Sequence, residues 1–328
     1  MNIDMIEAAA KRLEGAARRT PLLSSPFLDD IAGRRVWIKP ECLQHTGSFK
    51  YRGAWSAISA LSDAARRAGV LAYSSGNHAQ GVALAAAQHD IAAVIIMPAD
   101  APQLKIKNTR ALGAEVVLYD RADRDGREVL GEKLAAERGL TLIKPYDDPQ
   151  VIAGQGTTGL EIAAQAAEHG VSRADVLVCC GGGGLSSGIA LALEARAPDL
   201  RVRPVEPEGF DDMARSLISG QIETNAVTTG SLCDAILTPQ PGDMTFPILK
   251  RLCGPGLIVS DTEALRAAAL AFLRLKIVAE PGGAVALAAA LFHADPLDTP
   301  DVIVTISGGN VDPAIFARTL SALPGPST

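Results

Sequence analysis

A two-lobed α/β protein built on mainly parallel sheets is what this sequence predicts, and three observations predict it. Short apolar runs of strand length alternate with Ala-rich helical stretches along almost the whole chain. Those runs are continuously apolar rather than alternating, as strands covered by helices on both faces must be. The chain has 328 residues, 48% hydrophobic and 21% charged, enough to fill two cores and too apolar to stay disordered.

Taken in order, Met1–Arg19 is amphipathic and carries Asp4, Glu7 and Glu14, so it lacks the apolar stretch of a signal peptide. Val36–Ile38 reads as the first buried strand and Ala54–Leu61 as a helix. Gly69–Tyr73 leads into the helix Ala79–Gln88, Ala93–Met97 into Pro102–Leu112, and Glu115–Tyr119 into Arg127–Glu137. Thr141–Ile143 is followed by the helix Gly159–Glu168, and Val176–Cys180 by Ser187–Arg196. Val202–Val205, the helices Thr262–Arg274 and Ala284–Leu291, and the strand Val302–Ile306 complete the pattern. Residues 71–147 would close as a small mobile lobe. Residues 1–70 and 148–328 would then form a large, discontinuous lobe.

A net charge of -6 offers no electrostatic footprint for nucleic acid or an anionic membrane. The short basic cluster Lys105–Arg110 reads as a solvated helix face. Five cysteines, at 42, 179, 180, 233 and 253, show no CxxC pair, which suits a reducing cytoplasm and a soluble protein. Cys179 and Cys180 sit in an apolar run and read as small core hydrophobes. No segment reaches the ~18 apolar residues of a membrane span.

Three polar loops follow strands and should meet at their carboxyl ends, where parallel sheets bind ligands. Gly181–Gly184 precedes the helix at Ser187, and its unobstructed N–H groups at a positive helix end suit a phosphate. It matches neither GxGxxG nor a Walker loop, so a dinucleotide or nucleotide site is weakly supported. Ser74-Ser75-Gly76-Asn77-His78 opens a helix with hydroxyls and free N–H groups suited to a carboxylate, although a plain helix cap would use one of the serines. His78 alone reads more readily as a capping or hydrogen-bonded histidine than as a catalyst. Ser307-Gly308-Gly309-Asn310 is the third loop.

With Ser48-Phe49-Lys50-Tyr51-Arg52-Gly53-Ala54 ahead of them, the motifs run SFKYRGA, SSGNHAQG, VIAGQGT, GGGG and SGGN. This order resembles the fold-type II pyridoxal-phosphate family, in its threonine/serine dehydratase and serine racemase branch, from about Arg18 to Asn310. The resemblance implies a tryptophan synthase β-like fold, a homodimer, and pyridoxal 5'-phosphate as cofactor. It further implies a dehydratase/ammonia-lyase that converts a threonine- or serine-type 3-hydroxy amino acid to a 2-oxo acid and ammonia by α,β-elimination. By the same resemblance Lys50 is the Schiff-base lysine and Phe49 lies by the cofactor ring. Asn77 bonds the ring's 3′ oxygen, Gly181, Gly182, Gly183 and Gly184 hold the phosphate, and Ser307 faces the pyridine nitrogen. Ser74, Ser75, Asn77 and His78 would grip the substrate carboxylate, and Arg127 would stand at its distal end. A hydroxyl at Ser307 stabilises a protonated pyridine less than a carboxylate would, which favours prompt elimination over transamination. Ser75 matches the residue that in serine racemase faces Cα opposite the lysine, so a second base, and racemisation, is an alternative. Glu206, the carbonyl of Phe210 and Asp212 match the family's divalent-cation segment, suited to Mg²⁺, Ca²⁺ or Mn²⁺.

The chain departs from the family at Cys233-Asp234-Ala235, where Ala-Asp-Gly is usual, through Ile236–Gly242, and at Tyr146, which replaces an asparagine of serine racemase. These segments resemble a bacterial branch of dehydratases for 3-hydroxyaspartate or for hydroxyectoine breakdown. A second substrate carboxylate would pair with Arg127. A non-catalytic protein that binds pyridoxal phosphate, or a nucleotide-binding protein without it, would keep the same architecture.

Overall fold

A computed structural model describes residues 1–321 except 75, 102, 121–125, 294 and 296; the side chains of residues 126–128 also fall outside the description. Ten strands are present among the described residues. They are β1 (Leu23–Ser24), β2 (Arg35–Pro40), β3 (Val70–Tyr73), β4 (Ala93–Pro98), β5 (Glu115–Tyr119), β6 (Thr141–Leu142), β7 (Ala174–Cys179), β8 (Leu200–Pro207), β9 (Leu257–Val259) and β10 (Asp301–Ile306). They form a six-stranded sheet, in the order β1-β2-β10-β7-β8-β9, and a four-stranded sheet, in the order β5-β4-β3-β6. Every pairing is parallel except β1 with β2. The α/β reading with mainly parallel, helix-flanked sheets holds.

Burial explains why the sequence reads as it does. Every residue of β4, β7 and β10 is buried, so no solvent face imposes alternation on them. The strands absent from the sequence reading, β1 and β9, are edge strands of two and three residues, too short to show a period.

The helix expected at Gly159–Glu168 begins at Pro149. Asp148 caps it, accepting from the N–H groups of Gln150 and Val151, and Pro149 fills the first turn where no N–H is needed. Glycines make the length possible. A Cβ on Gly154 would lie 2.3 Å from the Arg52 carbonyl oxygen, and one on Gly188 would lie 2.6 Å from the Gly156 nitrogen. Gly154, Gly156 and Gly188 therefore buy close helix-on-helix approach, not flexibility.

The helix Lys50–Ser59 lies in sequence ahead of the four-stranded sheet, yet its Tyr51, Ala54, Ala57 and Ile58 pack in one core with Val70, Val82, Ile95 and Met97. Lys50 thus starts an element anchored to the smaller sheet, while Phe49 just before it donates its N–H to the Ser307 carbonyl beyond β10 of the larger one. All five cysteines are free, with Cys179, Cys180 and Cys233 buried. Among the described residues no helix is long and apolar enough to cross a membrane.

Candidate active site

The carboxyl end of β3 borders a cleft of about 520 Å³ lined by Lys50, Ser74, Asn77, His78, Tyr146 and Glu280 among others. A narrower cavity behind it is bounded by Phe49, Lys50, Asn77, Gly181–Gly184 and Ser307. Two of the three polar loops expected from the sequence therefore bound the inner cavity together with Lys50, and the Ser74–His78 loop reaches it through Asn77.

Lys50 occupies the first turn of its helix and donates from Nζ to the Pro145 carbonyl at 2.7 Å. Its ammonium lies 5.0 Å from the Phe49 ring centroid. Burial, with no carboxylate bonded to it, lowers its pKa to about 8. A desolvated amine of this kind is a nucleophile and a base near neutral pH.

Gly181–Gly184 forms the turn from β7 into the 13-residue helix Gly184–Arg196. Gly183 sits at φ +90°, a conformation that favours glycine. The turn is tied from outside: Thr245 Oγ1 donates to the Gly182 carbonyl at 2.6 Å and the Gly242 N–H to the same oxygen at 3.2 Å. With that carbonyl held by these donors, the helix's positive end and first N–H groups suit an anion. The Tyr146 ring packs on this turn, so a Cβ on Gly182 would lie 2.3 Å from Tyr146 Cε2.

Asn77 begins the helix Asn77–Gln88. Its Oδ1 accepts from Asn310 Nδ2 at 2.7 Å and its Nδ2 donates to Glu280 Oε1 at 2.6 Å. Ser74 Oγ accepts from the Gly76 N–H. His78 Nε2 lies 2.8 Å from the Ile143 carbonyl, which makes Nε2 the protonated nitrogen, while Nδ1 is buried without a partner. Burial first, then the Lys50 charge, lower the His78 pKa to about 3, so the ring is neutral. A neutral ring whose one proton is already donated has no N–H left for a carboxylate, which in this loop would fall to the N–H groups at the helix start. Ser307 is 4% exposed and lines the inner cavity. Ser75 lies outside the described residues. Arg127 belongs to the helix Gly126–Arg138, but its side chain is outside the description.

Among the cleft-lining residues that the sequence did not place in the site are Lys105, Lys144 and Glu280. Lys105 corrects the reading of Lys105–Arg110 as a wholly solvated face. Its ammonium reaches across the cleft to Asp234 at 3.4 Å, although Lys107 and Arg110 are exposed as expected. No linear pattern joins Lys105, Lys144 and Glu280; only the fold does.

The cation segment lies at the end of β8. Glu206 is fully buried and accepts from the N–H groups of Met213 and Ala214. Asp212 Oδ1 accepts from Asn225, while Oδ2 is buried with no partner. Burial pushes the Glu206 carboxyl well above its usual range, with Asp212 adding to it, and burial brings Asp212 up to about 6. Two buried carboxylates, one with an orphaned oxygen, fit a hard divalent cation. Among the described residues no cluster of three or more His, Cys, Asp or Glu side chains is placed to hold a metal, so a carbonyl such as that of Phe210 would have to complete the set.

The family model for pyridoxal-phosphate dependent enzymes matches residues 13–309. The chain is 44% identical over 317 residues to an L-threo-3-hydroxyaspartate ammonia-lyase of a Pseudomonas species, covering 97% of each. It is 41% identical over 319 residues to a serine racemase of Schizosaccharomyces pombe, again covering 97% of each. Among solved structures, a T.th. threonine deaminase superposes with a TM-score of 0.89 at 45% identity, covering 95% of this chain and 99% of that one. The glycine turn at a helix start and the desolvated Lys50 amine beside it fit the phosphate and the aldehyde of one molecule, and the chain belongs to the pyridoxal-phosphate-dependent enzymes.

Proposed function

We propose that this protein is an ammonia-lyase that converts a 3-hydroxy amino acid to a 2-oxo acid and ammonia. The observation that carries the reading is the Lys50 amine, desolvated, bonded to no carboxylate among the described residues and lining both the inner cavity and the outer cleft. The cofactor, when bound, supplies an electron sink for the pair released at Cα. Lys50 would hold its aldehyde, Gly181–Gly184 its phosphate, Asn77 its ring oxygen and Ser307 its ring nitrogen. Once the substrate amine has displaced it, Lys50 Nζ takes the Cα proton; its lowered pKa leaves a useful fraction unprotonated at neutral pH. The N–H groups at the start of Asn77–Gln88 hold the substrate carboxylate, and Tyr146 covers the phosphate turn against water. The 3-hydroxyl leaves as water, a second water hydrolyses the C=N bond, and ammonia departs, so the net change is loss of NH3 alone.

Within this class we favour a substrate with a second carboxylate. Lys105 and Lys144 both line the cleft; Lys105 is neutralised by Asp234, whereas the exposed Lys144 has no anionic partner among the described residues. Arg127 remains a further candidate for that carboxylate. The relatives named for L-threo-3-hydroxyaspartate, at 44% and 41% identity, support this choice. Racemisation is the second reading, favoured by the 41% identity to a serine racemase, and Ser75 would be its second base. Purified holoprotein offered L-serine, L-threonine and both threo and erythro 3-hydroxyaspartate should release a 2-oxo acid fastest from a 3-hydroxyaspartate. D-serine outpacing pyruvate from L-serine would replace the lyase reading by the racemase. We also propose a homodimer, a cytoplasmic setting, and a smaller lobe around β3–β6 that moves against the larger one.

A further inference from the structure

Glu280 is a buried carboxylate, 4% exposed, on the wall of the cleft, and nothing in the reaction above uses it. It stands just before the helix Pro281–Phe292 but makes no side-chain cap to it. Its Oε1 instead accepts from Asn77 Nδ2 at 2.6 Å. The bond closes a directed chain: Asn310 Nδ2 donates to the Thr46 carbonyl and to Asn77 Oδ1, both at 2.7 Å. Asn310 has then used both its N–H groups, and a carboxylate can only accept. The Asn77 amide is therefore held from its two ends, oxygen toward Asn310 and nitrogen toward Glu280, with one N–H left for the inner cavity that Asn77 also lines.

We propose that Glu280 is the positioning residue for Asn77, fixing its amide so that the remaining N–H meets the cofactor's ring oxygen, and that the charge of Glu280 is transmitted through this bond to the cofactor. The proposal rests on the placement of the cofactor against Asn77 given above. Burial raises the Glu280 carboxyl to about 7; the Asn77 bond and Lys105 pull it down, and Asp234 pushes it up. Cys42 also feels Glu280, its thiol raised first by burial, and Lys50 shares the cleft wall. A carboxyl with this pKa changes charge within the working pH range while keeping its acceptor oxygen on Asn77.

Glu280→Gln keeps an acceptor for Asn77 and removes the titration, whereas Glu280→Ala removes both. The visible absorption of the holoprotein, titrated from acid to alkaline pH, should show a transition centred near 7 that Glu280→Gln abolishes or moves by about one unit or more. The affinity for free pyridoxal phosphate, followed by fluorescence of the cofactor-stripped protein, should fall about tenfold in Glu280→Ala and within about threefold in Glu280→Gln. A Glu280→Gln protein that keeps the wild-type transition, beside an Asn77→Ala protein that has lost cofactor affinity, overturns the role of Glu280 alone. Unchanged affinity and spectrum in Asn77→Ala as well overturns the placement of the cofactor against Asn77, and the proposal with it.

Discussion

Two buried charge clusters in this protein solve the same problem in opposite ways. In the first, Arg52, Lys39, Glu41 and Glu161 meet beneath the N-terminal segment. The Arg52 guanidinium, 1% exposed, donates to Glu41 at 2.7 and 2.9 Å and to Glu161 at 2.7 and 3.0 Å. Lys39 Nζ adds bonds to Glu161, the Thr20 carbonyl and Gln165. Burial alone would raise Glu41, but Arg52 and then Lys39 reverse it and hold the carboxyl below its usual range. In the second cluster, burial raises Glu206 and Asp212 with no Lys or Arg bonded to either, and one Asp212 oxygen has no donor. Burial in both clusters, with opposite shifts, separates them: the first holds its own cations, and in the second a cation from solution would supply the charge that the described residues do not.

The largest effect should come from removing the first cluster's centre. Arg52→Met leaves Glu41 and Glu161 buried against Lys39 alone, and unfolding by urea should show a loss of about 3–5 kcal/mol. A loss below about 1 kcal/mol would mean that water relieves the cluster and would erase the contrast. The second cluster should respond in the reverse sense. Adding Mg²⁺, Ca²⁺ or Mn²⁺ to chelator-treated protein should raise its unfolding free energy by about 2.7 kcal/mol at a hundred times the dissociation constant. Asp212→Asn should remove that gain without destabilising the cation-free protein, since it deletes an uncompensated charge. A cation-free Asp212→Asn protein that unfolds more readily than wild type would show that the carboxylate already has a structural partner.

The site was readable where chemistry sits in a contiguous motif, and hidden where it is assembled across the chain. Lys50, Asn77, Gly181–Gly184 and Ser307 each lie in a short contiguous motif, in a loop or at a helix start, and the fold gathers them at one cavity. Strands of four residues or more were evident because buried strands are unbroken apolar runs; β1 and β9 were not. The VIAGQGT glycines sit inside a helix although glycine weakens helices, because tight packing on Arg52 and Gly188 outweighs propensity. The partners of Arg52 are spread from Arg18 to Glu161, and Glu280 lies 203 positions from Asn77, so no spacing rule could pair them.

Lys50 gives an intermediate case, a desolvated amine with no anion bonded to it among the described residues, and its pH behaviour sharpens the contrast. Its folded pKa of about 8 lies below the ordinary lysine value of 10.5, so the cofactor-free protein is most stable where the amine is neutral in both states. That contribution is lost as pH falls through 8. Lys50→Met should abolish this pH dependence of the cofactor-free protein between about 8 and 10.5 and make it more stable than wild type at neutral pH. The rate at which wild-type protein captures pyridoxal phosphate should climb about tenfold per pH unit below 8 and flatten above it. A climb continuing to pH 10 would mean that the amine is solvated.

The smallest effect belongs to a charge pair in water. Arg19 and Glu168 meet at 2.8 Å, nearly as close as Arg52 and Glu41, but with their side chains 55% and 57% exposed. Distance is thus almost matched while the surroundings differ, which isolates burial as the variable. In solvent each partner keeps its hydration when the other is removed, so no stranded charge results. Arg19→Ala should change the unfolding free energy by less than about 1 kcal/mol, and added salt should shrink even that. If Arg19→Ala approached the loss expected of Arg52→Met, proximity rather than desolvation would govern both pairs, and the orphaned oxygen of Asp212 would no longer argue for a cation there.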